Sequence, residues 1–216
     1  MPKRWIIEKW YRDYAPGLKP QAIPPEAVVD FVLEPFIPYG IQYRMRLEHN
    51  IFLRYQSGPG VTVVITDGNR IVAKRESRLV SGAAIIKCAS GLAGYEKDVA
   101  ADIVKLFNDI DSEDAVEVSR FRLSVLHNFI KSVLKREYGW ELGERKIVFL
   151  DKPVGSSNIK ICSVMGAVKI TKEEMDANSQ WPLLLKKQEA LDYLRKRQFS
   201  DDGSYRIVQR LFTYYF

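Results

Sequence analysis

The sequence predicts an α+β fold, an antiparallel β-meander over about residues 40–88 packed with helices, followed by further strands and a C-terminal helix–strand segment. Three observations predict it. From Tyr43 to Gln56 the odd positions (Tyr43, Met45, Leu47, Ile51, Leu53, Tyr55) are mostly apolar and the even ones include Arg44, Arg46, Glu48, Asn50 and Arg54, and a period of two held that long belongs to a strand, or two collinear strands, with one buried face. Val61–Thr66 and Arg70–Glu76 flank an Asp67-Gly68-Asn69 turn, a hairpin signal because tight turns of this kind need positive φ. After the strands come helical patterns, such as Val99, Ile103, Leu106, Phe107 and Ile110. Strands in one block and helices in another argue against a doubly wound parallel sheet.

Taken in order, residues 3–13 make a short amphipathic helix with Trp5, Ile6, Trp10 and Tyr11 near one face. Pro16, Pro20, Pro24 and Pro25 exclude helix from 14–25. This divides the chain into an N-terminal helix and Pro-rich arm, 1–25, and a single globular domain, 26–216. Pro25 suits the first turn of a helix running to about Leu33, ended by Pro35 and Pro38. Leu79–Cys88 reads as a strand, with Gly82 a bulge candidate. The 115–123 segment alternates like a strand, yet it leads into a plain helix carrying Leu126, Phe129, Ile130, Val133 and Leu134. Lys146–Leu150 and Ile159–Ile170 read as strands, with Gly166 as a second bulge candidate. Thr171 followed by Glu174 forms a capping box. Pro182–Arg197 reads as helix, and Tyr205–Phe216 alternates as a closing strand.

Composition limits the function classes. No stretch approaches the roughly 18 apolar residues of a membrane-spanning helix, so no membrane partner is expected. The two cysteines, Cys88 and Cys162, sit in apolar runs, as buried free thiols do in a reducing, cytoplasmic (intracellular) compartment. Catalytic groups are sparse: the histidines are His49 and His127, and no zinc spacing, nucleophile elbow, phosphate loop or dinucleotide fingerprint occurs. No cofactor and no catalytic residue are assigned. Asp109 and Asp111 could share a divalent metal in a nuclease or nucleotidyltransferase, but they lie at a helix end rather than on a strand.

The net charge is +6. Residues 40–88 hold eight basic side chains against Glu48, Asp67 and Glu76, which favours an anionic partner. Arg44, Arg46, Phe52 and Arg54 are read as one polar strand face, joined by Arg70, Lys74 or Arg75 from the hairpin. Guanidinium groups with an aromatic among them suit phosphates and unpaired bases. The function expected is therefore non-catalytic nucleic-acid binding, with single-stranded DNA or RNA favoured. The alternative is a structural or assembly subunit, viral or scaffold, whose aromatic ends (Trp5, Trp10, Tyr214, Tyr215, Phe216) are buried against neighbouring chains.

The last eight residues are Gln209-Arg210-Leu211-Phe212-Thr213-Tyr214-Tyr215-Phe216. They resemble the clamp-interaction motif of replication and repair proteins, in which a glutamine is followed by an aliphatic residue three on and then by two aromatics. Gln209, Tyr215 and Phe216 match it in type and spacing, and Phe212 stands at the aliphatic position. The resemblance implies a sliding-clamp partner for Gln209, Phe212, Tyr215 and Phe216. Self-association through the same C-terminus is the other partner expected of this segment.

Overall fold

The structure is a computed structural model that describes residues 3–33, 39–77, 84–110, 120–152, 155–156, 158–199 and 202–214. Among them are six helices and eleven strands in two mixed sheets, an α+β fold. The chain divides into two compact units. One comprises Met1–Gly60, Leu92–Val118 and Val154–Ser163, and the other Val61–Gly91, Ser119–Pro153 and Val164–Phe216.

The first unit begins with α1 (Arg4–Tyr14), which buries Ile7, Trp10 and Tyr11, the i, i+3, i+4 stripe of an amphipathic helix. Trp5 lies off that stripe and is exposed, while Trp10 is buried within its own chain and so is not the aromatic expected to be buried against a neighbouring chain. The Pro-rich arm is held to α1 by Arg4, whose Nη2 donates to the carbonyls of Pro24, Pro25 and Ala27. The helix expected after Pro25 is instead a strand, β1 (Val28–Leu33). Its β-branched Val28, Val29 and Val32 fit a pleated surface better than a helix. β1 leads a four-stranded sheet in the order β1-β2-β3-β9, with β2 Gly40–Leu47, β3 Asn50–Ser57 and β9 Ile159–Lys160. α2 (Lys97–Asp109) belongs to the same unit and buries Val99, Ile103, Leu106 and Phe107.

The long period-two run is not collinear. It is a hairpin whose register pairs Leu47 with Asn50, leaving Glu48 and His49 as the turn. Glu48 takes the positive φ, 51°, that a glycine or asparagine usually supplies. A two-residue turn inverts the face assignment of every residue beyond it: Tyr43 pairs with Arg54, Met45 with Phe52, Arg44 with Leu53 and Arg46 with Ile51.

The second unit carries the other sheet. Its path is β11-β5-β4-β10-β8, with β4 Gly60–Thr66, β5 Arg70–Ser77, β8 Ile147–Asp151, β10 Ser163–Lys169 and β11 Leu183–Lys186, while β6 (Ala84–Lys87) and β7 (Ala89–Leu92) pair onto β5 and β4. The meander expected over 40–88 is thus divided between two sheets. The Asp67-Gly68 hairpin joins β4 (Gly60–Thr66) to β5 (Arg70–Ser77) as expected. Gly68 adopts φ 93°, and Asp67 Oδ1 accepts from the amides of Asn69 and Arg70. β6 (Ala84–Lys87) and β7 (Ala89–Leu92) follow; the bulge expected at Gly82 falls outside the described residues. β10 (Ser163–Lys169) pairs with β8 (Ile147–Asp151), and their register shifts between Met165 and Gly166, the bulge expected there. A Cβ on Gly166 would stand 2.8 Å from Ile147 Cγ2, so the close approach itself requires glycine.

α3 (Arg120–Tyr138) reaches this sheet through Tyr138, whose hydroxyl donates to Val72 O at 3.3 Å. α4 (Lys172–Ala177) has the expected capping box of Thr171 and Glu174. The helix expected from Pro182 is first a strand, β11 (Leu183–Lys186), paired to β5, and only then α5 (Lys187–Arg195). The segment expected as a closing strand is a helix, α6 (Asp202–Tyr214). Ile207, Val208 and Leu211 pack it against Val64, Ile71, Ala73, Met165, Leu185 and Leu194.

Candidate functional site

The cations expected to share one face do not. Arg44 and Arg46 point to the exposed side of the first sheet, while the register sets Phe52 and Arg54 on the opposite side, beside Met45 and Tyr43. Arg54 Nη1 donates to Ala22 O at 2.7 Å and so tethers the Pro-rich arm. Arg44 and Arg46 converge on one carboxylate. Asp30 accepts from Arg44 Nε at 2.8 Å and Nη2 at 3.2 Å, and Arg46 Nη2 lies at 3.4 Å. The Arg44 hydrogen bond holds the Asp30 carboxyl below its usual range.

The other three cations belong to the second unit, and two of them are already neutralised. Arg70 bridges Asp67 and Asp176, each at 2.6 Å. Lys74 lies 2.8 Å from Glu137 on α3, which also faces Lys87 at 3.6 Å, and Lys87 in turn meets Glu76 at 2.6 Å. Burial alone would raise the Glu137 carboxyl, but hydrogen bonding to Lys74 and the charges of Lys87 and Lys74 outweigh it and depress the group. Arg75 is the exception, exposed on β5 and facing a cleft.

The C-terminal residues are placed only in part. Gln209 is exposed on α6, and Phe212 packs against the core of the second unit. Tyr215 and Phe216 lie outside the described residues, as does Asp111. Asp109 is the last residue of α2. Among the described residues no group of three or more His, Cys, Asp or Glu side chains is placed to hold a metal. His49 is exposed in the β2–β3 turn and His127 is half-buried on α3.

A concave site occurs where sequence reading assigned only Arg75. It is a cleft of about 420 Å³ lined by Arg75, Ala84 and Ile86 on β5 and β6, by Glu189, Asp192 and Tyr193 on α5, and by Lys196 at the helix C-cap, with Gln198 following. The spacing 189, 192, 193, 196 is one helical face, so a single face of α5 supplies a wall. The two strands supply the other, clipped to the segment after α5 by Ile86 N donating to Gln198 O at 3.2 Å. Tyr193 is braced edge-on by Phe199, with ring centroids 6.5 Å apart. Glu189 Oε2 accepts from the Lys186 amide at 2.8 Å, and Asp192 Oδ1 lies 3.3 Å from Arg195 Nη1. Glu189 is thus held by its capping contact, and Asp192 Oδ1 also accepts from Gln188 Nε2 at 3.2 Å. The lining carries both signs, with guanidinium and ammonium at Arg75 and Lys196 and carboxylates at Glu189 and Asp192. The signal in the sequence was the 189–196 spacing, which is recognisable only once β11 is known to end at Lys186.

No family model and no curated protein matches the sequence. Among solved structures the chain is similar to one described as "Crystal structure of ADP compounds hydrolase", at 12% identity and a TM-score of 0.45, over 89% of this chain and 96% of that one. A likeness of that degree carries no argument about activity here. The expectation of non-catalytic nucleic-acid binding is corrected: its residues are divided between two faces and two units, with Phe52 on the face opposite Arg44 and Arg46, while Arg70 and Lys74 are held in ion pairs, Arg44 and Arg46 share Asp30, and Arg54 holds the Pro-rich arm. Among the described residues, no helix is long and apolar enough to cross a membrane.

Proposed function

We propose that the protein binds a small polar molecule bearing both an anionic and a cationic group, in the cleft between α5 and the β5–β6 pair. The observation that carries this reading is the opposition of charge across a concave site: Arg75 on the strand wall, Glu189 and Asp192 on the helix wall. At about 420 Å³ the cleft falls in the range of small-molecule sites, which runs from about 300 to 1,000 Å³. Ile86 and Ala84 offer an apolar surface, Tyr193 a flat face, and Gln198 a hydrogen-bonding amide able both to donate and to accept. Arg75 would take a carboxylate or phosphate in fork geometry, while Asp192 would take an ammonium. The protein is assigned to the cytoplasm on its two buried, unbridged cysteines, Cys88 and Cys162.

The test is a titration followed by nuclear magnetic resonance, using three probes: a mixture of amino acids as zwitterions, inorganic pyrophosphate as a polyanion, and spermidine as a polycation. The zwitterions are expected to shift resonances of Arg75, Tyr193 and Gln198, and Arg75→Ala or Asp192→Asn should abolish those shifts. Equal response to all three probes, or shifts that survive both substitutions, would refute the reading.

A further inference from the structure

The exposed side of the first unit's sheet is apolar where a solvated face should be polar. Among the described residues nine large hydrophobic side chains are exposed, and five of them are on this face: Val28 50%, Phe31 42%, Ile51 63%, Leu53 56% and Ile159 46%. Cross-strand register groups them. Val28, Arg46 and Ile51 form one row, Phe31, Arg44 and Leu53 the next, and Ile159 continues the face beside Tyr55. Scattered surface hydrophobics need no explanation, but aligned rows on one sheet face mark an interaction surface. The opposite side already has its covering: Val29, Ile41, Tyr43 and Met45 are buried, and Tyr11 of α1 donates to Gln56 Oε1 at 3.4 Å. A sheet with apolar residues on both faces needs a second layer.

The charge on the face selects what that layer is. Arg44 and Arg46 share Asp30, so two guanidinium groups stand against one carboxylate in the middle of the apolar rows. A second copy of the chain would set the same positive excess against itself. We propose that this face docks an amphipathic helix of another protein, whose apolar stripe covers Ile51, Leu53 and Phe31 and whose carboxylate pairs with Arg46. Helix-on-sheet packing provides the apolar contact, and the arginine fixes orientation.

The experiment uses the full chain and synthetic helical peptides of roughly 18 residues, about five turns. One peptide has a leucine stripe flanked by glutamates, one has lysines in place of the glutamates, and one has glutamates without the leucines. Fluorescence anisotropy should show the leucine–glutamate peptide binding at least about tenfold more tightly than either of the others. Ile51→Ser with Leu53→Ser should weaken it about tenfold, and Arg46→Glu should reverse the preference toward the lysine peptide. All these positions are exposed, and thermal denaturation confirms that each variant is folded. The proposal is overturned by no binding of the leucine–glutamate peptide at millimolar concentration, or by equal binding of the lysine peptide. It is also overturned by self-association that Ile51→Ser and Leu53→Ser abolish, or by a single-stranded oligonucleotide displacing the peptide.

Discussion

The two sheets are built from similar residues and treat them in opposite ways. In the second unit β4 is buried at every position from Val61 to Thr66, and β10 from Val164 at all but its last. In the first unit β2 and β3 bury one side, and Val28, Ile51 and Leu53 stand in solvent on the other. Near-continuous apolar runs are expected of strands covered on both faces, and Val61–Ile65 is such a run in an antiparallel setting. An exposed isoleucine and a buried one are chemically identical; what distinguishes them is whether the chain supplies a second layer.

Substitution can break that contrast, and the largest effect belongs to the covered sheet. Ile65→Ala, at a fully buried site, should cost about 2–5 kcal/mol in chemical denaturation, while Ile51→Ala should fall within about 0.5 kcal/mol of the parent. Equal costs would mean that the first sheet is also covered in solution. Gly166→Ala, with its Cβ driven toward Ile147, should cost about 1–3 kcal/mol.

The ion pairs sharpen the comparison through pH. Glu137 is depressed in the folded protein by Lys74 and Lys87 against the pull of its own burial, so in acid the unfolded chain binds the proton first. Its contribution is present above the unfolded carboxylate value, about 4.3, and is lost as pH falls through the lower folded value. Glu137→Gln should therefore be less stable than the parent at pH 7, and the two should converge in acid when unfolding is followed across pH. A constant offset at every pH would assign Glu137 a packing role only. The smallest effect is expected at the β2–β3 turn, where Glu48→Gly should stabilise by about 0.5–1 kcal/mol by relieving positive φ.

What the sequence made legible follows from how local each determinant is. The Asp67-Gly68 hairpin, the Thr171–Glu174 box, the Gly166 bulge and α2 are written in adjacent or helically spaced residues, and all of them are present. The Glu48-His49 turn carries no glycine or asparagine, so two antiparallel strands read as one, and Phe52 and Arg54 were placed on the wrong face. β1 was obscured by the proline that would open a helix, and β11 by the leucines of Leu183–Leu185, which suit either element. α6 was mistaken because Tyr205–Phe216 alternates in part, whereas Ile207, Val208 and Leu211 fall on one helical face only when the core they meet is known. The candidate cleft was illegible for a related reason: Arg75 and Lys196 are brought together by strand order, which no local pattern encodes.

Each compact unit is assembled from three separate stretches of chain, and this bears on synthesis. The first unit takes β9 from Ile159–Lys160 as its fourth strand, so its sheet stays one strand short until Ile159 and Lys160 have left the ribosome. Until then Tyr55 and Gln56 at the end of β3 lack the parallel partner that β9 gives them, an unpaired edge of the kind that invites intermolecular strand pairing. A nascent chain of this protein is therefore most in need of a chaperone in the interval between the emergence of Ser57 and that of Ile159.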